Sequence, residues 1–201
     1  EYLNSEINGE AIMIMVSNQL RISTLTAHIP INNVAKNITK EVVKKKISAL
    51  EKTLIKDFNI SKPKIAVLGV NPHAGDQGLL GSEEKKILIP VLKDMLEKGF
   101  LVFGPYSADG FFGSNKHESF DAILAMYHDQ GLIPFKTLSF GQGANYTAGL
   151  DKIRTSPDHG TAYEIAGKGI ADETSFKEAI FLAISAYKNR EEHTKLVEGA
   201  I

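Results

Sequence analysis

Cysteine is absent from the 201-residue sequence, which removes disulfides, thiolate metal ligands, iron–sulfur clusters and a cysteine nucleophile together. Charge of one sign is missing as well. The 23 Lys and Arg against 24 Asp and Glu leave a formal net charge of −1, so no overall field draws the chain to nucleic acid or to an anionic membrane. The apolar run at 11–16 is far short of the roughly 20 residues a membrane span needs, and no basic segment precedes it. Neither GxGxxG nor a Walker A sequence occurs: Gly141-Gln142-Gly143 is followed by Tyr146 where the third glycine would stand, so Rossmann and P-loop readings fail. These absences leave a soluble, cytoplasmic protein whose partner is a small molecule. The chain opens on Glu1 and passes almost directly into an apolar run, so it reads as a piece of a longer protein.

Residues 11–16, short, unbroken and apolar between polar neighbours, predict a buried strand. A second strand begins at Leu20 and leads towards His28 and Pro30. Over 37–58, Ile38, Val42, Val43, Ile47, Leu50, Leu54 and Ile55 recur at helical spacing, with lysines on the opposite face. Residues 64–70 (KIAVLGV) have the continuous apolar character of a parallel-sheet strand. A helix over 83–98, short strands at 101–103 and 122–126, and a closing helix over 175–189 with Thr174 or Ser175 as N-cap complete the pattern. Strands alternating with long helices predict an α/β fold with a mostly parallel sheet, and such sheets gather ligands at the carboxyl ends of their strands.

Three histidines stand near such ends: His28, His73 in NPHAG and His128 in AMYHDQG, all read as loop residues. Neutral imidazole is the commonest ligand of Zn²⁺-like ions, and a catalytic metal takes about three protein ligands. Widely spaced histidines carry no spacing signature, however, and a lone loop histidine is more often a hydrogen-bonding surface group. Asp109 and Asp129 could orient ligating imidazoles. His117-Glu118 opens like HExxH, but Asp121 stands where the second histidine is required, so that motif is rejected; His117 and His193 read as solvated. Gly75, Gly78 and Gly81 before Glu83-Glu84 suggest either an anion-holding loop or an ordinary flexible one. Lys136, Asn145 and Arg154 punctuate a glycine-rich stretch and could grip phosphate and carboxylate; taken singly, each reads better as a solvated loop residue.

Four long segments in one order, VNPHAGDQGLLGSEE (70–84), GPYSADGFF (104–112), AMYHDQGLIPFK (125–136) and NYTAGLDKIRTSPDHGTAYEIAGKGIAD (145–172), resemble the 4-hydroxythreonine-4-phosphate dehydrogenase family of vitamin B6 synthesis. With His28 in TAHIP, the resemblance runs from about Gly9 to Asn189. It implies the two-domain α/β/α fold of isocitrate and isopropylmalate dehydrogenases, lacking here its N-terminal part. Residues 1–135 would form a central domain with metal ligands and dimer interface, and residues 136–201 a return segment completing the cofactor-side domain. By matching positions, the resemblance implies metal ligands His28, His73 and His128 and substrate contacts Lys136, Asn145 and Arg154. Asp109, Asp129 and Lys136 become the candidate catalytic groups. His159, Gly160, Thr161 and Ala162 would face the nucleotide, by a weaker similarity to the isopropylmalate enzymes. Gly110, Asp151 and Pro157 depart from the family's usual Thr, Pro and Val.

The activity implied is NAD-dependent, or NADP-dependent, oxidation and decarboxylation of 4-phosphooxy-L-threonine by a homodimer whose active site is shared between subunits. One divalent ion is implied, Zn²⁺ or Co²⁺ ahead of Mg²⁺ because imidazole is a poor match for a hard, oxygen-seeking ion. A dehydrogenase of threonate or erythronate 4-phosphate, a phosphate acyltransferase-like enzyme and a non-catalytic dimerisation unit are the rivals.

Overall fold

A computed structural model describes residues 9–18, 20–160 and 162–199. Its strands are β1 (Gly9–Ser17), β2 (Leu20–Thr24), β3 (Ile65–Leu68), β4 (Val102–Tyr106), β5 (Ala122–Ala125), β6 (Ala144–Leu150) and β7 (Arg154–Pro157). Its helices are α1 (Val34–Asn37), α2 (Lys40–Phe58), α3 (Ile89–Glu97, entered through a π-turn at Glu84–Leu88), α4 (Ala108–Gly113), α5 (His128–Ser139) and α6 (Thr174–Glu198). All seven strands form one sheet in the order β4-β3-β5-β2-β1-β6-β7. The pairs β4–β3, β3–β5 and β5–β2 are parallel, whereas β2–β1, β1–β6 and β6–β7 are antiparallel. Strands β2 to β6 therefore point one way and only β1 and β7 the other, as the α/β reading expects.

Local chemistry explains the elements. Thr39 caps α2, its hydroxyl accepting from the Val42 N–H at 3.3 Å, and Asn59 ends the helix in the left-handed region that Asn tolerates. Val43, Ile47, Leu50 and Leu54 form the buried stripe of α2. They pack with Val91 and Met95 of α3 and Ala186 of α6 on one side of the sheet, against Ile12, Ile14, Val67, Leu124 and Tyr146. The other side carries Met15, Ile22, Ala66, Leu68, Ile123 and Ala125, covered by Phe111 of α4 and Phe135 of α5.

The structure corrects several boundaries. Extended backbone at Ile38 and Thr39 moves the start of the helix expected at 37 to Lys40. Thr174 and Ser175 lie inside α6, and neither caps it. The Ser175 hydroxyl instead donates to the Gly143 carbonyl at 2.7 Å and accepts from the Asp158 N–H at 2.9 Å, joining the helix to the sheet edge. The glycine-rich stretch from 135 to 155, where Lys136, Asn145 and Arg154 each read as a solvated loop residue, is the end of α5 followed by the β6–β7 hairpin. Residues 136–201 thus add their two strands to the sheet of residues 1–135 through β1. No helix among the described residues is long and apolar enough to cross a membrane.

Candidate metal and substrate site

Because β4, β3, β5 and β2 are parallel neighbours, their exits line one edge of the sheet in that order. Each exit delivers a group singled out in the sequence: Asp109 after β4, His73 after β3, His128 after β5 and His28 after β2. The exits are stitched together. Gly69 N donates to the Tyr106 carbonyl at 2.8 Å, Leu25 N to the Ala125 carbonyl at 2.7 Å, and the Thr26 hydroxyl to the Met126 carbonyl at 2.8 Å.

The β2–β5 stitching brings the rings of His28 and His128 to 6.0 Å between centroids. His128 opens α5 and is not in a loop; its Nδ1 lies 2.7 Å from Asp129 Oδ1, the contact that orients an imidazole for ligation. His73 groups instead with Asp109. The Asp109 carboxyl is held below the usual carboxylate range first by the Ser107 hydroxyl, then by the Gly110 N–H, with the charge of His73 contributing less. Asp109 is therefore ionised at neutral pH.

His73 sits in an unusual backbone. His73, Ala74, Gly75, Asp76 and Gln77 all have left-handed φ, at 53°, 51°, 81°, 39° and 55°, a conformation that costs L-residues about 1–2 kcal/mol each. Such a run persists only where its surroundings over-determine it. Glu84, 2 % exposed, accepts from the N–H groups of Val70 and Asn71 at 2.7 and 2.8 Å and from Asn71 Nδ2 at 3.0 Å. Glu83 accepts from the same amide at 2.8 Å, a bond that leads the causes holding its carboxyl below the usual range. A Cβ at Gly75 would stand 2.6 Å from the Glu84 carboxylate, so only glycine closes the loop there. Where the sequence left an anion loop open, Gly75 packs against the Glu84 carboxylate and Gly81 against the Asn71 amide.

The chemistry of the donor set suits a borderline divalent ion, since the three imidazoles share one edge. Within one chain, however, the described residues place no three His, Asp or Glu side chains close enough to enclose an ion. His28 and His73 are exposed and the His128 side chain is 39 % exposed, so the edge is open to a covering surface.

Asn145 and Arg154 lie on the side of the sheet where α5, which carries Lys136, packs. Asn145 is paired with Met15 of β1, and Arg154 with Thr147 of β6, two residues on from Asn145. Arg154 donates to the Thr147 hydroxyl at 2.6 Å. Asn145 Oδ1 is buried with no partner in the structure, an acceptor that a ligand donor or water would satisfy. Lys136 is exposed, two turns along α5 from His128. Strand β7 stands three strands from β2, about 14 Å across the sheet at the usual interstrand spacing, so the chain does not place Arg154 beside His28. His159 and Gly160 are exposed on the loop between β7 and α6, and Ala162 has left-handed φ; Thr161 lies outside the described residues.

Sequence reasoning missed Gln130, Ser107, Asn71 and the pairing of Glu84 with its loop. Only Gln130 left a signal, as a glutamine in the first turn of a helix that the sequence had not revealed.

Histidines and a carboxylate at the carboxyl ends of adjacent parallel strands define the α/β class of protein, with its candidate ligands along the edge where such sheets gather them. The family model described as pyridoxal phosphate biosynthetic protein PdxA matches residues 1–183, and the chain belongs to that family. It is 53 % identical over 193 residues to a 4-hydroxythreonine-4-phosphate dehydrogenase of Bacteroides thetaiotaomicron, covering 95 % of this chain and 53 % of that protein. A crystal structure of 4-hydroxythreonine-4-phosphate dehydrogenase from Klebsiella pneumoniae superposes with a TM-score of 0.78 at 38 % identity, covering 90 % of this chain and 55 % of that one. A terephthalate 1,2-cis-dihydrodiol dehydrogenase from Burkholderia xenovorans superposes with a TM-score of 0.69 at 31 % identity, over 87 % of this chain and 55 % of that one. The chain spans about half the length of the curated relatives it matches.

Proposed function

We propose that the full-length protein is a cytoplasmic, NAD(P)-dependent dehydrogenase that oxidises and decarboxylates 4-phosphooxy-L-threonine to 3-amino-2-oxopropyl phosphate. The observation that carries this reading is the shared edge: three imidazoles and an ionised carboxylate on neighbouring strand exits, in a chain of this family. His28, His73 and His128 would hold one divalent ion, Zn²⁺ or Co²⁺ before Mg²⁺. Such an ion would acidify the substrate hydroxyl and take up the negative charge that decarboxylation leaves.

The protein's own groups have separate tasks. Lys136 and Arg154 grip the phosphate and carboxylate through charge-assisted hydrogen bonds, and Asn145 Oδ1 accepts from the substrate, so that the reacting carbon is fixed against the nicotinamide. Asp109, Asp129 or Lys136 takes the hydroxyl proton as hydride leaves for NAD⁺. The carbon–carbon bond to the carboxylate then breaks, CO₂ departs, and the carbon that carried it takes up a proton to give the amino ketone phosphate. His159, Gly160, Thr161 and Ala162 contact the nucleotide, in the return segment 136–201 of the cofactor-side domain. The exposure of the histidine edge supports a homodimer in which the partner completes each site.

The test is NADH formation by the full-length enzyme with a divalent ion and 4-phosphooxy-L-threonine, beside threonate and erythronate 4-phosphates and a phosphate acyl-transfer assay. Turnover of 4-phosphooxy-L-threonine alone is the expected result. Preference for a sugar acid changes the substrate, and acyl transfer without hydride transfer overturns the dehydrogenase reading. A monomer in sedimentation at working concentration overturns the shared site.

A further inference from the structure

The side chain of Gln130 joins two strand exits that carry candidate ligands. It is the third residue of α5, and its Oε1 accepts from the Met126 N–H at 2.7 Å, much as a glutamine in a capping box reaches back over the start of its own helix. Its Nε2 does something that capping does not require. It donates to the carbonyl of Gly69 at 2.7 Å, on the neighbouring strand and 61 residues away in sequence. Gly69 is fixed further by its N–H on the Tyr106 carbonyl, and the next two N–H groups by Glu84. One amide therefore sets the β5 exit, with His128 and Asp129, against the β3 exit that leads into the left-handed turn of His73.

We propose that Gln130 is a positioning residue: by bridging Met126 N to Gly69 O it fixes the spacing of His73 and His128 and so tunes the affinity and geometry of the bound metal. This rests on the metal reading under Proposed function. Groups that orient ligands from one shell out change metal affinity by about 10–100-fold when removed.

Titration of the metal-free, full-length enzyme with Co²⁺, followed through its visible absorption, tests this without turnover. Gln130→Glu keeps an acceptor for Met126 N and loses the donor to Gly69, so helix capping survives while the bridge is cut. Gln130→Met loses both. The expected result is an affinity at least about tenfold weaker in Gln130→Glu, with an altered absorption band. Thermal midpoints of the metal-free forms separate this from general loosening, with Tyr146→Phe, far from the edge, as a comparator that loses stability and keeps Co²⁺ affinity. Wild-type affinity and spectrum in Gln130→Glu would overturn the proposal and leave Gln130 a helix cap. Should Gln130→Met fail to fold, Gln130→Glu decides alone. If the wild-type enzyme takes up no Co²⁺, the metal reading falls first and this inference with it.

Discussion

Two polar clusters in this chain use similar groups for opposite purposes. At the histidine edge, imidazoles and carboxylates are exposed and stand on strand exits. Beneath the other side of the sheet, Asp57 is 3 % exposed and Tyr146 fully buried. There the Asp57 carboxylate accepts from Tyr146 at 2.7 Å and from Arg190 at 2.7 and 3.1 Å, while Arg190 also donates to the Asp151 and Leu150 carbonyls. Asn189 donates to the Asp57 carbonyl. The saturated cluster locks α2, β6 and α6 together and leaves nothing to bind a ligand. The edge groups have few partners by comparison, chiefly Ser107 on Asp109 and Asp129 on His128. Titratable side chains alone therefore do not mark a candidate site; what sets the edge apart is that its groups stand exposed on adjacent strand exits.

The sharpest way to break the comparison is to remove one group from each cluster. His73→Ala should abolish metal uptake and turnover in the full-length enzyme and barely change the thermal midpoint of the metal-free form. Full metal stoichiometry by elemental analysis in that variant would contradict the ligand assignment. Asp57→Ala should do the reverse, destabilising by about 3–5 kcal/mol because it strands the Arg190 charge, while metal affinity per folded molecule stays unchanged. Chemical denaturation reads the loss, and a cost below about 1 kcal/mol would show that the cluster is not what joins α2 to α6.

Arg154 lies between these extremes, half-buried on β7 with Thr147 as its partner. Arg154→Ala should raise the substrate KM at least about tenfold, through loss of a charge-assisted contact worth roughly 1.5–3 kcal/mol. NAD affinity should change little. An unchanged substrate KM would return Arg154 to a structural role in the β6–β7 hairpin.

Much of this arrangement is legible in the sequence where one signal dominates. The strands at 65–68 and 122–125 are apolar throughout because both faces are covered, and α2 shows its stripe because only one face is. Helix α5 is illegible because Gly131 and Pro134 break the periodicity and remove a donor; it survives because Phe135 is fully buried against the sheet and Gly131 packs on Ile22, Thr24 and Ala125. The β6–β7 hairpin hides behind glycines, and Pro157 is tolerated because β7 is the sheet edge. The three histidines are legible by motif, but their order along the edge follows from strand order, which local sequence does not encode. The bridge from Gln130 is hidden for the same reason, since its partner Gly69 belongs to another strand.

The smallest expected effect concerns Tyr146, and pH sharpens it. Burial pushes the Tyr146 hydroxyl well above its ordinary value, and the Asp57 carboxylate adds to the shift while Arg190 opposes it. In the unfolded chain the same hydroxyl titrates near 10. A folded pKa above the unfolded one stabilises fully below that unfolded value, and the contribution drains away as pH rises towards the folded one. Tyr146→Phe should therefore cost about 1 kcal/mol near neutrality, for one hydrogen bond to a carboxylate that keeps its Arg190 contacts. Above about pH 10 the stability of the wild type should fall more steeply than that of the variant, so the two curves converge. Denaturation midpoints at pH 8, 10 and 11 would reveal this, and parallel curves would mean that Tyr146 ionises as readily folded as unfolded.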